Sequence, residues 1–255
     1  MAYDYKGKNV WVTGASSGIG MGLANQLAEK GATVFVSARN VDKLNENFAD
    51  NASVTILSGD LTSADVNKKI AAQIKASAGG LDCVIFNAGT AEYVDVYNFS
   101  AAPFERMIEA NYFSMVRGIE AAMPLLKESK NAYLVGMSSS VSWQGLPSGQ
   151  AYSASKAAIR NLFQGLKIEL APKDIAVSWI CPGFVKTPLT DKNTFDMPFR
   201  VSIEEATDTI VKHLEKQTTE IHFPKRFTYF LKIVSYLPAG LAAKILSKTV
   251  PESSL

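Results

Sequence analysis

One turn constrains this chain more than any other stretch. Thr13-Gly14-Ala15-Ser16-Ser17-Gly18-Ile19-Gly20 stands between a short β-branched run and a helical repeat. Asn9 to Thr13 reads as a strand. Ile19, Leu23 and Leu27 then recur every four residues up to Gly31, a helix face with its stop. Glycines at 14, 18 and 20 let the backbone turn tightly and come close to a ligand. The helix start behind them offers unpaired N–H groups and the positive end of its dipole, a combination suited to a pyrophosphate. The spacing is G-x-x-x-G-x-G rather than the commoner G-x-G-x-x-G, and no Gly-Lys-Ser/Thr follows to make a Walker A loop. A tight turn that binds nothing is the plainer alternative.

The same alternation of periods continues down the chain. Strands are expected at Thr33 to Ser37, Val54 to Leu57, Leu81 to Phe86, Ala132 to Met137, Ile175 to Ile180 and Glu220 to Phe223. Between them, helices are expected near Val41 to Phe48, Ser63 to Ala78 before Gly79-Gly80, Ser100 to Lys127, Tyr152 to Leu170, and from the Ser202/Glu205 capping pattern to about Lys216. Pro103 fits a first turn, and Pro124 is expected to kink or end its helix. Such alternation predicts an α/β fold, a doubly wound parallel sheet with helices on both faces, in one domain. Residues 1–224 form its body and residues 225–255 an amphipathic extension packed on it.

Composition narrows the function classes. The 255 residues carry 26 Lys and Arg against 24 Asp and Glu, a net charge of +2, which excludes the clustered base of a nucleic-acid binder. Two cysteines, Cys83 and Cys181, cannot build a disulfide framework, and no apolar run reaches membrane-span length, so a cytoplasmic setting is expected. His213 and His222 fall late in the chain, without a G-x-S-x-G elbow or any metal-ligand spacing. Hydrolase and metal chemistry are set aside, and no metal ligands are assigned.

Further motifs follow the glycine turn. Asn87-Ala88-Gly89 ends the fourth expected strand, Asn111 lies in the long helix, and Ser139 follows the fifth strand. Tyr152 and Lys156 are four apart, hence on one helix face. A free tyrosine titrates near ~10, and a neighbouring ammonium would lower that value towards use as an acid or base. Pro182-Gly183, Val185 and Thr187 come after the sixth strand. With the turn, these motifs resemble the short-chain dehydrogenases/reductases over residues 8 to about 223. The resemblance implies a Rossmann fold and hydride exchange between a nicotinamide dinucleotide and a carbonyl or alcohol. It assigns Tyr152 as general acid/base, Ser139 as the carbonyl polariser and Lys156 as the group that lowers the tyrosine pKa and holds the nicotinamide ribose. Asn111 would position a water linking Lys156 to solvent. Cofactor contacts would come from Gly14, Ser16, Ser17, Gly18, Ile19, Gly20, Asn87, Ala88, Gly89, Tyr152, Lys156, Pro182, Gly183, Val185 and Thr187. Asp60-Leu61 resembles the family's adenine-contact pair, with a plain turn as the competing reading. A homodimer or homotetramer through the helices holding Asn111 and Tyr152 is also implied.

An NAD site usually has a carboxylate at the end of the second strand. Here the chain reads Val36-Ser37-Ala38-Arg39-Asn40, with no acid before Asp42. Arg39 suits a 2′-phosphate and Ser37 adds a donor, so NADP(H) is expected over NAD(H), unless Arg39 is simply solvated. For the substrate, Ser140, Val141, Trp143, Gln144, Leu146, Pro147 and Phe184 suggest an apolar pocket, with Pro188 to Phe199 as a lid carrying Phe195, Met197 and Phe199. A hydrophobic ketone or aldehyde is the leading expectation. A rival using the same cofactor site, an epimerase or dehydratase, would be expected to resemble longer relatives with extended substrate domains, and nothing here extends the chain that far. A catalytically silent cofactor-binding scaffold or sensor would be expected to have lost Tyr152 or Lys156, and both are present.

The stretch from Lys225 to Val250 repeats Phe227, Phe230, Leu231, Val234, Leu237, Leu241 and Ile245 at helical steps. Lys225, Arg226, Lys232, Lys244 and Lys248 supply all its charge. The favoured reading is helices covering the substrate mouth or a subunit neighbour. Peripheral contact with an anionic membrane is the lesser one.

Overall fold

The computed structural model describes residues 2–192 and 197–250. Its elements run β1 Asn9–Thr13, α1 Gly18–Glu29, β2 Thr33–Ser37, α2 Val41–Phe48, β3 Val54–Ile56, α3 Ala64–Ala78 and β4 Cys83–Phe86. They continue as α4 Ala102–Met107, α5 Ser114–Leu126, β5 Tyr133–Met137, α6 Gln150–Leu170, β6 Ala176–Pro182, α7 Ile203–Glu215, β7 Glu220–Phe223, α8 Lys225–Tyr236 and α9 Ala239–Leu246. The strands form one parallel sheet in the order β3-β2-β1-β4-β5-β6-β7. This is the doubly wound fold, with strand order reversing direction between β1 and β4.

Strand side chains alternate between two cores because successive Cβ atoms point to opposite faces. Val10, Val12, Val34 and Val36 pack with Leu23, Leu27, Leu44, Ile210 and Leu214 of α1, α2 and α7. Trp11, Phe35, Val84 and Leu134 pack on the other face with Ile70, Ile74, Ala122, Leu126, Ile159 and Phe163 of α3, α5 and α6. Asn40, Ser63 and Ser202 each accept an N–H from the first turn of the helix they cap. Gly79 ends α3 in the left-handed conformation at φ 75°.

The long helix departs from expectation. It is interrupted at Ile108–Phe113, a π-helical segment, and not at Pro124, which is carried inside the last turn of α5. Near a helix end, the missing proline N–H removes only one late bond, so the helix runs on to Leu126.

The extension folds as α8 and α9, with a short 3₁₀ turn at Ser247–Thr249. Phe227, Leu231 and Val234 are buried, whereas Phe230 and Leu241 of the same repeat are exposed. Glu220 at the start of β7 fastens α8 to the sheet. Its carboxylate accepts from Trp143 Nε1 at 3.1 Å, Trp179 Nε1 at 2.9 Å, Arg160 Nε at 3.1 Å and Lys232 Nζ. Burial works to raise its pKa, but these four donors bring it down to about 2.

Glu220→Ala strands two cations and two indole N–H groups, and should cost about 2–4 kcal/mol in urea unfolding. The Glu220 pKa is depressed on folding, so its contribution is present above the unfolded value near ~4.3 and is lost as pH falls towards the folded one. The acid-unfolding curve of the variant should therefore lack a component that the parent shows between those two values.

Candidate active site

The glycine turn opens a cleft of about 400 Å³ at the carboxyl ends of the strands. Ser17 precedes α1 in extended conformation without a side-chain cap, and the first turn of α1 carries no acid, so its N–H groups face the cleft without a competing carboxylate. Gly14 and Gly18 have φ of 67° and 60°. A Cβ on Gly14 would lie 2.7 Å from the Ala88 Cα, and one on Gly20 2.4 Å from the Gly14 carbonyl oxygen. The turn is thus built for close backbone approach to an anion, and its donor set fits a dinucleotide pyrophosphate.

Gly14, Ser16, Ser17, Gly18, Ile19, Arg39, Asp60, Leu61, Asn87, Ala88, Gly89, Ser139, Tyr152, Lys156, Pro182, Gly183, Val185 and Thr187 line this cleft together. Gly20 lies just beneath the turn. Arg39 is exposed at the rim, after β2, and its charge helps hold the Asp60 carboxyl below its ordinary range, behind the larger effect of the Thr62 N–H.

Ser37 does not reach the cleft. It is fully buried and its Oγ accepts from Trp11 Nε1 at 2.9 Å, because it is the last inward-facing position of β2. Ser140, Trp143, Gln144 and Phe184 are also absent from the lining. Ser140 is buried in a 3₁₀ turn. Trp143 turns to Glu220 and sits under the Lys232 ammonium at 4.6 Å. Gln144 Nε2 donates to the neighbouring Gly145 carbonyl, and Phe184 stacks on Phe227 with centroids 5.1 Å apart. Phe195 of the expected lid lies outside the described residues.

The Ser139 hydroxyl donates to the Pro182 carbonyl at 3.5 Å and accepts the Val141 N–H at 3.4 Å, and it stands close enough to Tyr152 to favour the phenolate. Burial is the largest influence on Tyr152 and pushes its pKa up to about 12, against the smaller pull of the neighbouring Ser139 hydroxyl. The net shift is therefore upward, opposite in direction to the one expected from Lys156 alone. The ammonium is 5.7 Å from the Tyr152 ring centroid, donates to the Met137 carbonyl at 3.0 Å, and is itself brought down to about 8 by desolvation.

Asn111 is fully buried in the π-helical segment, behind the cleft wall. Its Oδ1 accepts the Thr90 N–H at 2.7 Å, and its Nδ2 donates to the Thr90 carbonyl at 2.9 Å and to Ser155 Oγ at 3.0 Å. Asn111 Oδ1 and Lys156 Nζ lie 3.0 and 3.2 Å from where a Gly89 Cβ would stand. Sequence reasoning missed Thr90, Thr62 and Met137 in the lining, which carry no motif of their own. It also missed Thr13, whose Oγ1 accepts the N–H groups of Asn87 and Ala88. Among the described residues no cluster of His, Cys, Asp and Glu could hold a metal.

A model of the short chain dehydrogenase family matches residues 8–198. The chain belongs to the short-chain dehydrogenase family. It is an oxidoreductase of that family. An uncharacterized oxidoreductase of Myxococcus xanthus is 36% identical over 237 residues, covering 90% of this chain and 92% of the relative. A Staphylococcus aureus relative, also an uncharacterized oxidoreductase, is 34% identical over 182 residues, 70% of this chain and 78% of its own. A short chain dehydrogenase from Burkholderia cenocepacia, solved in complex with NADP, superposes with a TM-score of 0.83 at 27% identity, covering 96% of this chain and 99% of that one. A Burkholderia phymatum short chain dehydrogenase, solved in complex with NAD, shares the fold at a TM-score of 0.83 and 19% identity, covering 90% of this chain and 93% of that one.

The crowding at the turn separates two glycine substitutions in this dehydrogenase. Gly20→Ala should destabilise by about 1–3 kcal/mol, since its Cβ meets backbone that cannot give way. Gly165→Ala, in the interior of α6 with nothing within 4 Å of the new Cβ, should instead stabilise by about 1 kcal/mol. Thermal or urea unfolding of the two variants reads the opposite signs.

Proposed function

We propose that this oxidoreductase interconverts a carbonyl compound and an alcohol with NADP(H), with Tyr152 moving the proton. The observation that carries the reading is that Ser139, Tyr152 and Lys156 line the same cleft as the glycine turn. A nicotinamide dinucleotide supplies or accepts the hydride when bound. The pyrophosphate would lie against the N–H groups of residues 16–20, and the adenosine end against Arg39, Asp60 and Leu61. Asn87, Ala88, Gly89, Pro182, Gly183, Val185 and Thr187 would wall the nicotinamide half.

In reduction, the Ser139 hydroxyl donates to the carbonyl oxygen and draws its charge outward. Tyr152 Oη then gives its proton to the developing alkoxide. A phenol held near 12 is fully protonated at neutral pH, which suits the donor. Lys156 steadies the phenolate left behind, the charge that burial alone would penalise. Asn111, through Thr90 and Ser155, fixes the wall from which Lys156 is resupplied with a proton by way of water. In oxidation the same groups act in reverse. Pro188 and Leu189 of the expected lid line the cleft and Tyr93 stands near Tyr152, an apolar surround that supports a hydrophobic substrate. Phe113 and Ile168, exposed beside α5 and on α6, fit a homodimer or homotetramer contact.

The preference for NADP(H) rests on Arg39 at the rim with no carboxylate ending β2, and the NADP-bound Burkholderia cenocepacia relative supports it. A charge-assisted phosphate contact is worth about 1.5–3 kcal/mol, so Arg39→Asp should weaken NADPH binding about tenfold or more and favour NADH. Titration of both reduced cofactors by fluorescence checks this. Equal affinities for parent and variant would remove the assignment.

Tyr152→Phe keeps the ring and deletes the proton. Turnover of a hydrophobic ketone should fall by about 10²–10⁴-fold with cofactor binding preserved. Activity within a few-fold of the parent would contradict the role of Tyr152.

A further inference from the structure

The C-terminal helix pair has two apolar faces, only one of which the protein uses. On the inner face of α8, Phe227, Leu231 and Val234 are buried, and Lys232 is tied to Glu220. Phe227 also lies against Phe184 and close under Gly183, beside the cleft. The outer face carries Tyr229, Phe230, Ile233 and Tyr236 at 52, 46, 63 and 87% exposure, and Leu241 of α9 adds another at 47%. A helix that merely roofs a core turns polar residues outward. This one turns out aromatic and branched aliphatic side chains.

The helix pair itself carries charge of one sign. Lys225 and Arg226 stand exposed at the start of α8 and Lys244 in the last turn of α9. From Ile221 to Val250 the sequence holds no Asp or Glu. Glu220, the acid that directly precedes this segment in sequence, is occupied by its four donors. A symmetric contact with a second copy would bring like charges together around the apolar centre. An anionic lipid surface instead matches both features, accepting the aromatic residues at the headgroup boundary and the cations among the headgroups. Among the described residues no helix is long and apolar enough to cross a membrane, so the contact is peripheral.

We propose that the outer face of α8 and α9 docks this dehydrogenase onto an anionic membrane surface. The inference stands apart from the reading of the reaction. It assigns the two expectations for this segment to two faces: the inner one covers the edge of the cleft, and the outer one meets lipid. Docking sets the Gly183–Phe184 side of the cleft next to the membrane.

Sedimentation of the full chain, loaded with cofactor, on phosphatidylcholine vesicles with and without phosphatidylglycerol tests the proposal. The parent should sediment with the anionic vesicles and not with phosphatidylcholine alone, and less at physiological than at low salt, as the screening length shortens from about 30 to about 8 Å. Arg226→Gln should weaken vesicle affinity about fivefold. A Phe230→Asp/Ile233→Asp double variant should lose vesicle binding while keeping its circular dichroism, its oligomeric mass and its cofactor affinity, because both side chains point outward. Failure of the parent to bind anionic vesicles, or unchanged binding by the double variant, would overturn the proposal. A parent that ignores vesicles, with a double variant of lower oligomeric mass, would give the face to a second copy instead.

Discussion

Two strand ends are lashed together where the sheet reverses its winding, and the cleft depends on that lashing. Thr13 Oγ1 accepts the N–H groups of Asn87 and Ala88, both at 3.0 Å. Asn87 Nδ2 returns bonds to the Thr13 and Gly14 carbonyls at 3.1 and 3.2 Å. The connections after β1 and β4 leave towards opposite faces of the sheet, so a crevice must open above this point. The bonds satisfy backbone groups that the diverging chains would otherwise leave unpaired in the crevice floor. They also hold Ala88 so close to Gly14 that no side chain fits there.

On the far wall, the balance is between burial and charge. Lys156 is 3% exposed, and its ammonium donates to the Met137 carbonyl. Tyr152 stands beside it with its pKa raised, and among the described residues neither group has a carboxylate partner. Each is therefore sensitive to any charge that develops nearby, which is the property that proton transfer needs. The rest of the fold keeps this wall rigid: α6 carries Tyr152 and Lys156 on one face, and the Glu220 hub ties α6, β6, β7 and α8 into one body.

The sheet and its helices were legible because both faces are covered, so every strand reads as a short apolar run bounded by turns. The glycine turn was legible because its chemistry is local. What escaped the sequence is non-local. The π-helical segment around Asn111 follows from tertiary bonds to Thr90 and Ser155, and no proline or glycine marks it. Ser37 looked like a phosphate donor until Trp11, from the neighbouring strand, claimed its hydroxyl. Trp143 looked like a pocket residue because Glu220, its partner, lies 77 residues away. The direction of the Tyr152 shift needed the burial as well as the neighbour. In the tail, the helical repeat was visible but mixed two faces, and only the fold separates Phe227 from Phe230.

The central claim is that one partly buried phenol, that of Tyr152, exchanges the proton in both directions of the reaction. The pH dependence of kcat/KM, measured for reduction of a ketone and oxidation of its matching alcohol, tests this most directly. Reduction requires the protonated phenol and should fall as pH rises through its ionisation, while oxidation requires the phenolate and should rise through the same ionisation. Mirror-image limbs that share one inflection, and that move upward together in Lys156→Met, are the predicted result. Limbs that run in the same direction, or inflections indifferent to Lys156, would contradict the account.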